Sequence, residues 1–373
     1  MKNLKSYLSN LPGWRTNRKI IVFESDDWGS VRMPSLKSFE ELEKAGLNLR
    51  TEDAERYNLN DSLATKEDLE KLFEVITSVK DKSGNYTVFT PVAVVANPDF
   101  KKIKEADFKE YFYEPFTETL KRSNGCEKSF EMWLEGIKNQ IFIPQLHGRE
   151  HLNVTAWMNA LKRKDKQAHL AFNEGVWGFV PENYPIVDYQ AAFLPGSPQE
   201  LEYHKEILSD GIKLFKKIFG YQAEYFVPPN GYFNNSLNHT LAKNGIKYRS
   251  ASKMQFEPLG NGKYRRVFHW LGQKDKSGIR YITRNCLFEP SQPGKDWVDS
   301  CLNDIHIAFK CHKPAVISTH RVNYAGSLNT SNRDKGLSQL KQLLQKIIKN
   351  WPEVEFMTTP QLGKLIEYAK RNE

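Results

Sequence analysis

Short apolar runs alternate along this chain with segments in which apolar residues recur every three or four positions. The runs have the length and β-branched content of strands, whereas the periodic segments have the pattern of amphipathic helices. Strands are predicted at 19–25, 86–97, 141–147, 223–229, 314–320 and 354–358, and helices at 65–80, 129–139, 198–220, 234–245, 336–350 and 359–371. Because strands that alternate with helices form βα units, the pattern predicts an α/β fold with a parallel sheet.

Polar residues with catalytic chemistry lie where these apolar runs end. Asp26 and Asp27 follow the first run, His147 ends the third, residues 228–232 lie at the end of the fourth, and His320 ends the fifth. In a βα barrel the carboxyl ends of the strands converge on one face, where active sites are found. We therefore expect these distant segments to meet in space.

Three stretches fit the βα pattern poorly. Residues 97–130 and 163–198 are polar, aromatic and rich in turn formers, and residues 255–285 have the pattern of antiparallel strands. We interpret all three as insertions in a single domain that spans residues 1–373. Insertions of this kind can line a functional site.

The charge and cysteine content narrow the function classes. The net charge of +9 comes from lysines spread over helical faces, and no motif interleaves aromatic and basic residues as nucleic-acid binders do. No window approaches the ~20 apolar residues of a membrane span, and the N-terminal stretch lacks the apolar centre of a secretory signal. The cysteines have no CxxC spacing and read as reduced thiols. We expect a cytoplasmic protein that binds no nucleic acid and has no integral membrane segment.

Two sequence features together suggest a metal site. His147 and His151 are four residues apart, which lets two imidazoles reach one ion from a helix or tight turn; a pair of surface or capping histidines is the alternative. Asp26 and Asp27 follow an apolar strand, and a divalent cation would compensate their charge; an ordinary turn pair is the alternative. One carboxylate with two imidazoles is a common catalytic zinc set, and nickel, cobalt or iron would also suit it.

The order of these motifs resembles the polysaccharide deacetylases, the carbohydrate esterases of the NodB-homology type. The family's first motif is a strand that ends in Asp-Asp-Gly, similar to "SDDWG" at 25–29, and its second is HxxxH, which matches His147 and His151. Its third is similar to "FVPPNGYF" at 226–233, and its last, an apolar strand ending in Leu-x-His, is similar to "VISTH" ending at His320.

The resemblance implies a distorted (β/α) barrel of about seven strands that holds one divalent metal ion, zinc being our first expectation. It implies Asp27, His147 and His151 as metal ligands, Asp26 as the general base and His320 as the general acid. The implied activity is a metal-dependent hydrolase that removes acetyl groups from an N-acetylated sugar or polysaccharide.

The chain departs from the family pattern at two motifs. The third motif normally carries an arginine that orients the base, where this chain has Val227, and Asn230 replaces an aromatic residue. Arg149 or Arg321, each beside a proposed site histidine, is our candidate substitute. The family's Asp-Trp motif is missing, and "FHWLG" at 268–272 is a weak counterpart.

Two rival functions stay open at this point. The altered third motif favours a catalytically silent carbohydrate-binding protein on the same barrel. A metal-dependent hydrolase of a different bond, such as a glycosidic bond, is the other rival. Glycosidases usually need two carboxylates several ångströms apart across the substrate, which adjacent aspartates suit poorly. The sequence predicts no oligomeric state.

One inserted stretch is rich in aromatic residues. Sugar rings pack their C–H faces on aromatic rings, so we expect some of Trp177, Phe179 and Tyr184 to lie near the metal site. The alternative is that these rings pack against the barrel.

Overall fold

A computed structural model of the chain describes residues 2–180 and 189–371. The strands are β1 (Ile20–Trp28), β2 (Phe89–Val94), β3 (Ala96–Pro98), β4 (Tyr113–Pro115), β5 (Gln145–Gly148), β6 (Tyr225–Phe226), β7 (Tyr248–Ser250), β8 (Met254–Gly260), β9 (Lys263–Phe268), β10 (Arg280–Ile282), β11 (Cys286–Leu287), β12 (Ala315–His320) and β13 (Glu355–Phe356). The α-helices are α1 (Lys2–Ser9), α2 (Leu36–Lys44), α3 (Glu52–Asn60), α4 (Lys66–Ile76), α5 (Phe100–Glu105), α6 (Phe116–Arg122), α7 (Ser129–Lys138), α8 (Val154–Lys162), α9 (Lys166–Asn173), α10 (Glu200–Phe219), α11 (Asn238–Lys243), α12 (Trp297–Lys310), α13 (Thr330–Asn350) and α14 (Thr359–Arg371).

The main sheet curls into a distorted (β/α) barrel, as the sequence predicts. Among the described residues it contains nine strands, in the order β10-β7-β6-β5-β2-β1-β12-β11, with β13 beside the start of β1. Every strand pair in this sheet is parallel. The expected number was about seven. Several of these strands have only two or three residues, too short to leave a recognisable apolar run in the sequence.

Residues 255–285 correct one prediction. The first half forms the expected antiparallel hairpin of β8 and β9, but Arg280–Ile282 is a parallel strand of the main sheet beside β7. All three residues of this strand are buried, as is usual for a strand covered on both faces of a parallel sheet. The chain then passes directly into β11 beside β12, so residues 283–285 bridge the last gap around the barrel.

The central strand β1 divides its side chains between two cores. Ile21 and Phe23 belong to the larger core, which the outer helices cover, while Ile20 and Val22 join a smaller one. The smaller core collects residues from six strands of the sheet together with Leu362 and Ile366 of α14. Side chains from so many strands can meet only in the barrel interior, where alternate residues of each strand point.

The other two predicted insertions pack beside the barrel. Residues 97–130 contain the β3–β4 pair with α5 and α6, and the described part of 163–198 contains α9. Several of their apolar side chains share a third core with α2 and α8. The division into one domain with insertions stays a prediction from the sequence.

Two further sequence expectations concern thiols and membrane spans. The four cysteines are free thiols with buried side chains. Within residues 2–180 and 189–371, no helix combines the length and the apolar character that crossing a bilayer requires.

A glycine in α13 allows this helix to approach the segment that follows β12. A Cβ atom added to Gly336 would lie 1.8 Å from the carbonyl oxygen of Asn323. We predict that Gly336→Ala lowers the free energy of unfolding by about 2 kcal/mol, because overpacking costs about 1–3 kcal/mol and outweighs the helix propensity of alanine. Urea unfolding would measure the loss. Ser338→Ala, at an exposed position of the same helix, is the matched control and should unfold like the parent; equal stability of both variants would contradict the close approach.

Candidate active site

The carboxyl end of β1 is irregular where its two aspartates lie. Between the pairs Ser25–Pro91 and Trp28–Ala93, β1 has two residues where β2 has one, which defines a bulge. Asp27 adopts a positive φ of 71°, a conformation that costs roughly 1 kcal/mol or more for a non-glycine residue. Neighbouring side chains of a regular strand point to opposite faces, so this bulge is what lets both aspartates line the same cavity.

A second bulge presents His147. Between the pairs Ala93–Leu146 and Val94–Gly148, β5 has one more residue than β2, and that residue is His147. His151 follows in the turn before α8, and the centres of the two imidazole rings are 5.0 Å apart. Irregular strand ends therefore present both imidazoles to the carboxylate on β1.

Asp27, His147 and His151 form a cluster that can hold a metal ion. The Oδ1 atom of Asp27 lies 3.4 Å from Nε2 of His147 and 3.3 Å from Nε2 of His151. Ligands placed ~2.0–2.1 Å from a tetrahedral zinc ion stand roughly 3.3 Å from each other. The separations of these three atoms therefore fit a common ion.

The hydrogen bonds around His147 agree with this fit. Its Nδ1 lies 2.8 Å from the carbonyl oxygen of Val227, so Nδ1 carries the proton and Nε2 keeps its lone pair. Nε2 is buried and has no hydrogen-bond partner among the described residues. A buried polar atom without a partner is costly unless a ligand satisfies it. The ring of Trp177 stacks on His151 at 6.3 Å and limits its rotation.

Arg284 grips Asp26 with both ends of its guanidinium. Its Nη1 and Nη2 donate to the two carboxylate oxygens of Asp26 at 2.6 and 2.7 Å, and its Nε donates to Glu24 at 2.6 Å. Glu24 and Asp26 are two residues apart on β1, so both reach the same side of the strand. Burial opposes ionisation of Asp26, but the charge and hydrogen bonds of Arg284 outweigh it and lower the pKa of this carboxyl. Asp26 is therefore held as an anion.

This arrangement corrects the expected substitute for the missing arginine. Arg149 instead forms ion pairs with Glu150 and Asp210. Arg321 is fully buried and binds both carboxylate oxygens of Asp61 at 2.9 Å. Neither arginine has Asp26 among its recorded partners, because each already neutralises an acid on its own side of the site.

His320 has a carboxylate partner of its own. Its Nδ1 donates to Glu289 at 2.6 Å, and its Nε2 lies 3.9 Å from Oδ2 of Asp26. Burial lowers the pKa of His320, but Glu289 and the two aspartates of β1 outweigh it and raise the pKa to about 9. Arg56 and Asn323 hold Glu289 in place at 2.8 and 3.0 Å. The imidazole is therefore protonated at neutral pH, with Nε2–H toward the cavity.

The remaining altered motifs have structural explanations. Val227 contributes its carbonyl oxygen to His147, and Asn230 lines the cavity with a positive φ of 51°. His269 does not reach the site, because its Nε2 bonds to Gln255 and its ring packs on Tyr281. Glu289, rather than the segment 268–272, supplies the acid beside His320.

These groups open into one cavity of about 910 Å³. Phe179 lines this cavity but is 4% exposed, and Trp177 is buried behind His151. The prediction that aromatic residues of this insertion lie near the metal cluster holds for Trp177, although its ring packs rather than faces a ligand. Tyr184 lies outside the described residues.

Sequence reasoning missed two residues of the site, Arg284 and Glu289. Arg284 follows the apolar end of β10, which is the signal that marked the other site residues, but the surrounding stretch had been assigned to an insertion. Glu289 lies two residues after β11, a strand of two residues. No local pattern in the sequence marks so short a strand.

Comparisons with known proteins give structural matches only. No family model and no curated protein matches the chain. A candidate polysaccharide deacetylase from Mycobacterium smegmatis has 10% identity, a TM-score of 0.45 and coverage of 96% of this chain and 94% of its own. A candidate glycoside hydrolase/deacetylase from Parabacteroides distasonis has 11% identity, a TM-score of 0.47 and coverage of 94% and 71%. A pseudoenzyme of carbohydrate esterase family 4 from Bacillus anthracis has 10% identity, a TM-score of 0.37 and coverage of 93% and 66%.

Proposed function

We propose that this chain is a metal-dependent hydrolase that removes acetyl groups from an N-acetylated sugar within a glycan. The observation that carries the proposal is a pair of groups in opposite protonation states beside a three-residue metal cluster. Asp26 is kept ionised by Arg284 and His320 is kept protonated by Glu289, while Nε2 of His320 and Oδ2 of Asp26 are 3.9 Å apart. A general base and a general acid at this distance can serve one reacting group.

Asp27, His147 and His151 would hold the divalent ion, and their neutral-imidazole and carboxylate chemistry favours zinc. When bound, such an ion supplies Lewis acidity, which polarises a carbonyl group and makes water easier to deprotonate. A set of three protein ligands is the number that catalytic zinc sites provide.

The chain's own residues then divide the proton transfers. A carboxylate oxygen of Asp26 accepts the proton of the attacking water, and Arg284 holds this carboxylate in position. Nε2 of His320 donates its proton to the nitrogen that leaves as the amine, and Glu289 stabilises the charged imidazole before that step. Each catalytic group therefore has a partner of opposite charge that fixes both its orientation and its protonation state.

The alternative hypothesis, a catalytically silent carbohydrate-binding protein, rested on the absence of the arginine that orients the base in the family motif. The two hydrogen bonds from Arg284 to Asp26 support Arg284 as a substitute for that arginine. The same contacts weigh against a glycosidase, because Asp26 is tied to an arginine and Asp27 to two histidines rather than placed across a substrate. A cytoplasmic location remains a prediction from the sequence.

The direct test is acetate release from a panel of N-acetylated mono- and oligosaccharides, with and without a chelator. We expect release that the chelator abolishes and that added zinc restores. Asp26→Asn is the matched control for contaminating activity. A protein that binds saccharides from the panel but releases no acetate, with metal supplied, would favour the silent binding protein.

The metal cluster generates the first variant prediction. His147→Ala and His151→Ala should each lose most of the roughly one divalent ion per chain, because each removes one of three protein ligands. Elemental analysis of purified proteins measures this content. His306→Ala, at an exposed position of α12, is the control and should keep the ion. Unchanged metal content in both site variants would refute the cluster as a metal site.

The two aspartates should differ in kind when each is changed to asparagine. Asp27→Asn removes a charged ligand, so metal content and turnover should fall together. Asp26→Asn cannot accept a proton, so metal should stay while turnover falls by roughly a hundredfold or more. Paired measurements of metal content and kcat separate the two roles. Near-normal turnover of Asp26→Asn on a confirmed substrate would show that this carboxylate is not the base.

Glu289 should act through the pKa of His320. Glu289 raises the pKa of His320, so the imidazole is protonated at neutral pH, and activity should fall in alkaline solution as it loses this proton. Glu289→Gln removes the negative charge that raises the pKa of His320. The alkaline decline of kcat/KM should therefore move to lower pH, and kcat of the variant should fall at a lower pH than kcat of the parent. Glu353→Gln, well away in sequence, is the control. An unmoved alkaline limb would leave Glu289 with a structural role only.

A further inference from the structure

The hairpin of β8 and β9 presents apolar side chains to solvent. In the strand register Met254 pairs with Phe268 and Phe256 pairs with Arg266, and residues opposite each other in an antiparallel pair point to the same face. Met254, Phe256 and Phe268 are 46%, 50% and 58% exposed. Large apolar side chains that share one exposed face of a sheet indicate a surface that contacts something other than water.

The opposite face of the hairpin is attached to the barrel. Gln255 donates to the carbonyl oxygen of Phe233 at 2.7 Å, and Glu257 accepts from the backbone N–H of Asn235 at 2.9 Å. Gln255 and Glu257 are both almost completely buried. These polar contacts hold the hairpin in one orientation, so its apolar side stays directed away from the barrel.

The N-terminal helix α1 adds exposed leucines beside the hairpin. Leu4 and Leu8 are four residues apart, so they lie on one side of α1, and they are 62% and 57% exposed. Nζ of Lys253, the residue before β8, donates to Oδ1 of Asn10 at 3.2 Å and thereby connects the end of this helix to the base of the hairpin.

A cleft of about 270 Å³ joins the helix to the hairpin. Its lining includes Asn10 and Pro12 on the helix side and Phe268 and Trp270 on the hairpin side. The exposed apolar residues of the two segments are therefore neighbours. Together they are named the apolar face, which consists of Leu4, Leu8, Met254, Phe256, Phe268 and Trp270.

The charged residues of these two segments are mostly cations. Residues 1–23 contain five lysines and arginines and no aspartate or glutamate. Residues 253–276 contain six lysines and arginines and two acids. Glu257 is one of these acids, and it is buried and pairs with Arg265 at 2.7 Å. Asp275 is the other, and it accepts backbone hydrogen bonds within its own turn.

Several of these cations are available to an external partner. Lys5, Lys263 and Arg266 are exposed, and none of the three has an ion pair with another described residue. The guanidinium carbon of Arg266 lies 5.7 Å from the centre of the Phe256 ring, so charge and apolar surface occur side by side. A partner that complements both has an apolar interior and an anionic surface.

We propose that the apolar face docks the protein on the surface of an anionic lipid bilayer, as a peripheral contact. Leucine, phenylalanine and tryptophan side chains enter the boundary between headgroups and acyl chains, and lysine and arginine side chains bind the lipid phosphates. Tryptophan in particular favours this depth of a bilayer. This inference goes beyond the proposed function and does not rest on it.

The charge of the face distinguishes a lipid surface from two other partners. A second copy of this chain would bring two cationic surfaces together, and like charges across an interface oppose association. A nucleic acid would satisfy the cations, but Leu4, Leu8 and Met254 offer its bases no aromatic ring on which to stack. An anionic bilayer matches both the aliphatic residues and the cations.

The first experiment measures binding of the full chain to vesicles by co-sedimentation. Vesicles of equimolar phosphatidylglycerol and phosphatidylcholine should bind the protein at least about tenfold more tightly than vesicles of phosphatidylcholine alone, because several cations contribute. Molar concentrations of sodium chloride should weaken this binding by screening the charges. Absence of binding to the anionic vesicles, or equal binding to both kinds, overturns the proposal.

The second experiment changes the apolar residues. Leu8→Ala and Phe268→Ala should each weaken binding to the anionic vesicles about tenfold, the order of the contribution from one large apolar side chain. Leu134→Ala removes an exposed leucine of α7 and is the matched control, which should bind like the parent. Parent-like binding of both site variants would show that this face is not the docking surface.

The third experiment changes the cations. The double variant Lys263→Gln with Arg266→Gln should bind anionic vesicles about tenfold or more weakly than the parent. Lys341→Gln with Lys349→Gln, at two exposed positions of α13, is the matched control for net charge and should bind more tightly than the site variant. Equal losses in both double variants would mean that net charge alone attracts the protein, which contradicts a specific docking face.

Further readouts separate the remaining outcomes. Thermal melting checks that each variant is folded, and if one does not fold, the lipid and salt dependence of the parent still decides. A parent dimer that Phe268→Ala converts to a monomer in sedimentation velocity, without vesicle binding, would assign the face to a second copy and overturn the proposal. Vesicle binding is measured without turnover, so a chain that releases no acetate but docks as described refutes the proposed function alone.

Discussion

The ion pair between Arg284 and the two acids of β1 is the interaction on which the rest of the site depends. Arg284 lies between β10 and β11, the two end strands of the main sheet, and Glu24 and Asp26 lie on β1. The contact therefore ties the segment that joins the two ends of the sheet to a strand inside it. Taking these charges out of water is expensive, and removing one partner of such a buried pair typically costs 3–5 kcal/mol. The same contact keeps Asp26 ionised, so the packing of the barrel and the charge state of this carboxylate depend on one interaction.

Strain at the strand ends complements this pair. A regular strand would point Asp26 and Asp27 to opposite faces, and only one of them could reach the cavity. The bulge and the positive φ of Asp27 turn both inward, and a matching bulge in β5 turns His147 toward them. The strained conformation persists because the flanking apolar residues of β1 are completely buried and fix the strand on either side. Stability of the core thus maintains a local geometry that no isolated segment would adopt.

The sequence predicted the parts of the fold whose signals are local. The apolar run before Asp26 and Asp27, the spacing of His147 and His151, and the strand that ends at His320 each marked side chains that the parallel topology brings to one cavity. Arg284 and Glu289 were missed for different reasons. The stretch that contains Arg284 was assigned to an antiparallel insertion, and the strand before Glu289 has two residues, too few for a periodic pattern. Arg149 and Arg321 lie beside site histidines in the sequence, which made them candidates to orient Asp26. In the structure each forms an ion pair with a nearer acid. Pairing of buried charges depends on proximity in three dimensions, which sequence position does not give.

The balance of charge explains how an acid and a base can remain distinct at such short range. Asp26 and His320 could simply exchange a proton, and two isolated groups 3.9 Å apart would share it according to their pKa values. Here each has its own buried counter-charge: Arg284 lowers the pKa of Asp26 and Glu289 raises the pKa of His320. The proton therefore stays on the imidazole although a carboxylate is within reach. Asp27 forms its ion pairs with two imidazoles, those of His147 and His151. Among the described residues it has no ion pair with an arginine or lysine that would compensate its negative charge. That remaining charge is what a divalent cation would neutralise, so the acid–base pair and the metal cluster depend on the same distribution of arginines and acids around the barrel.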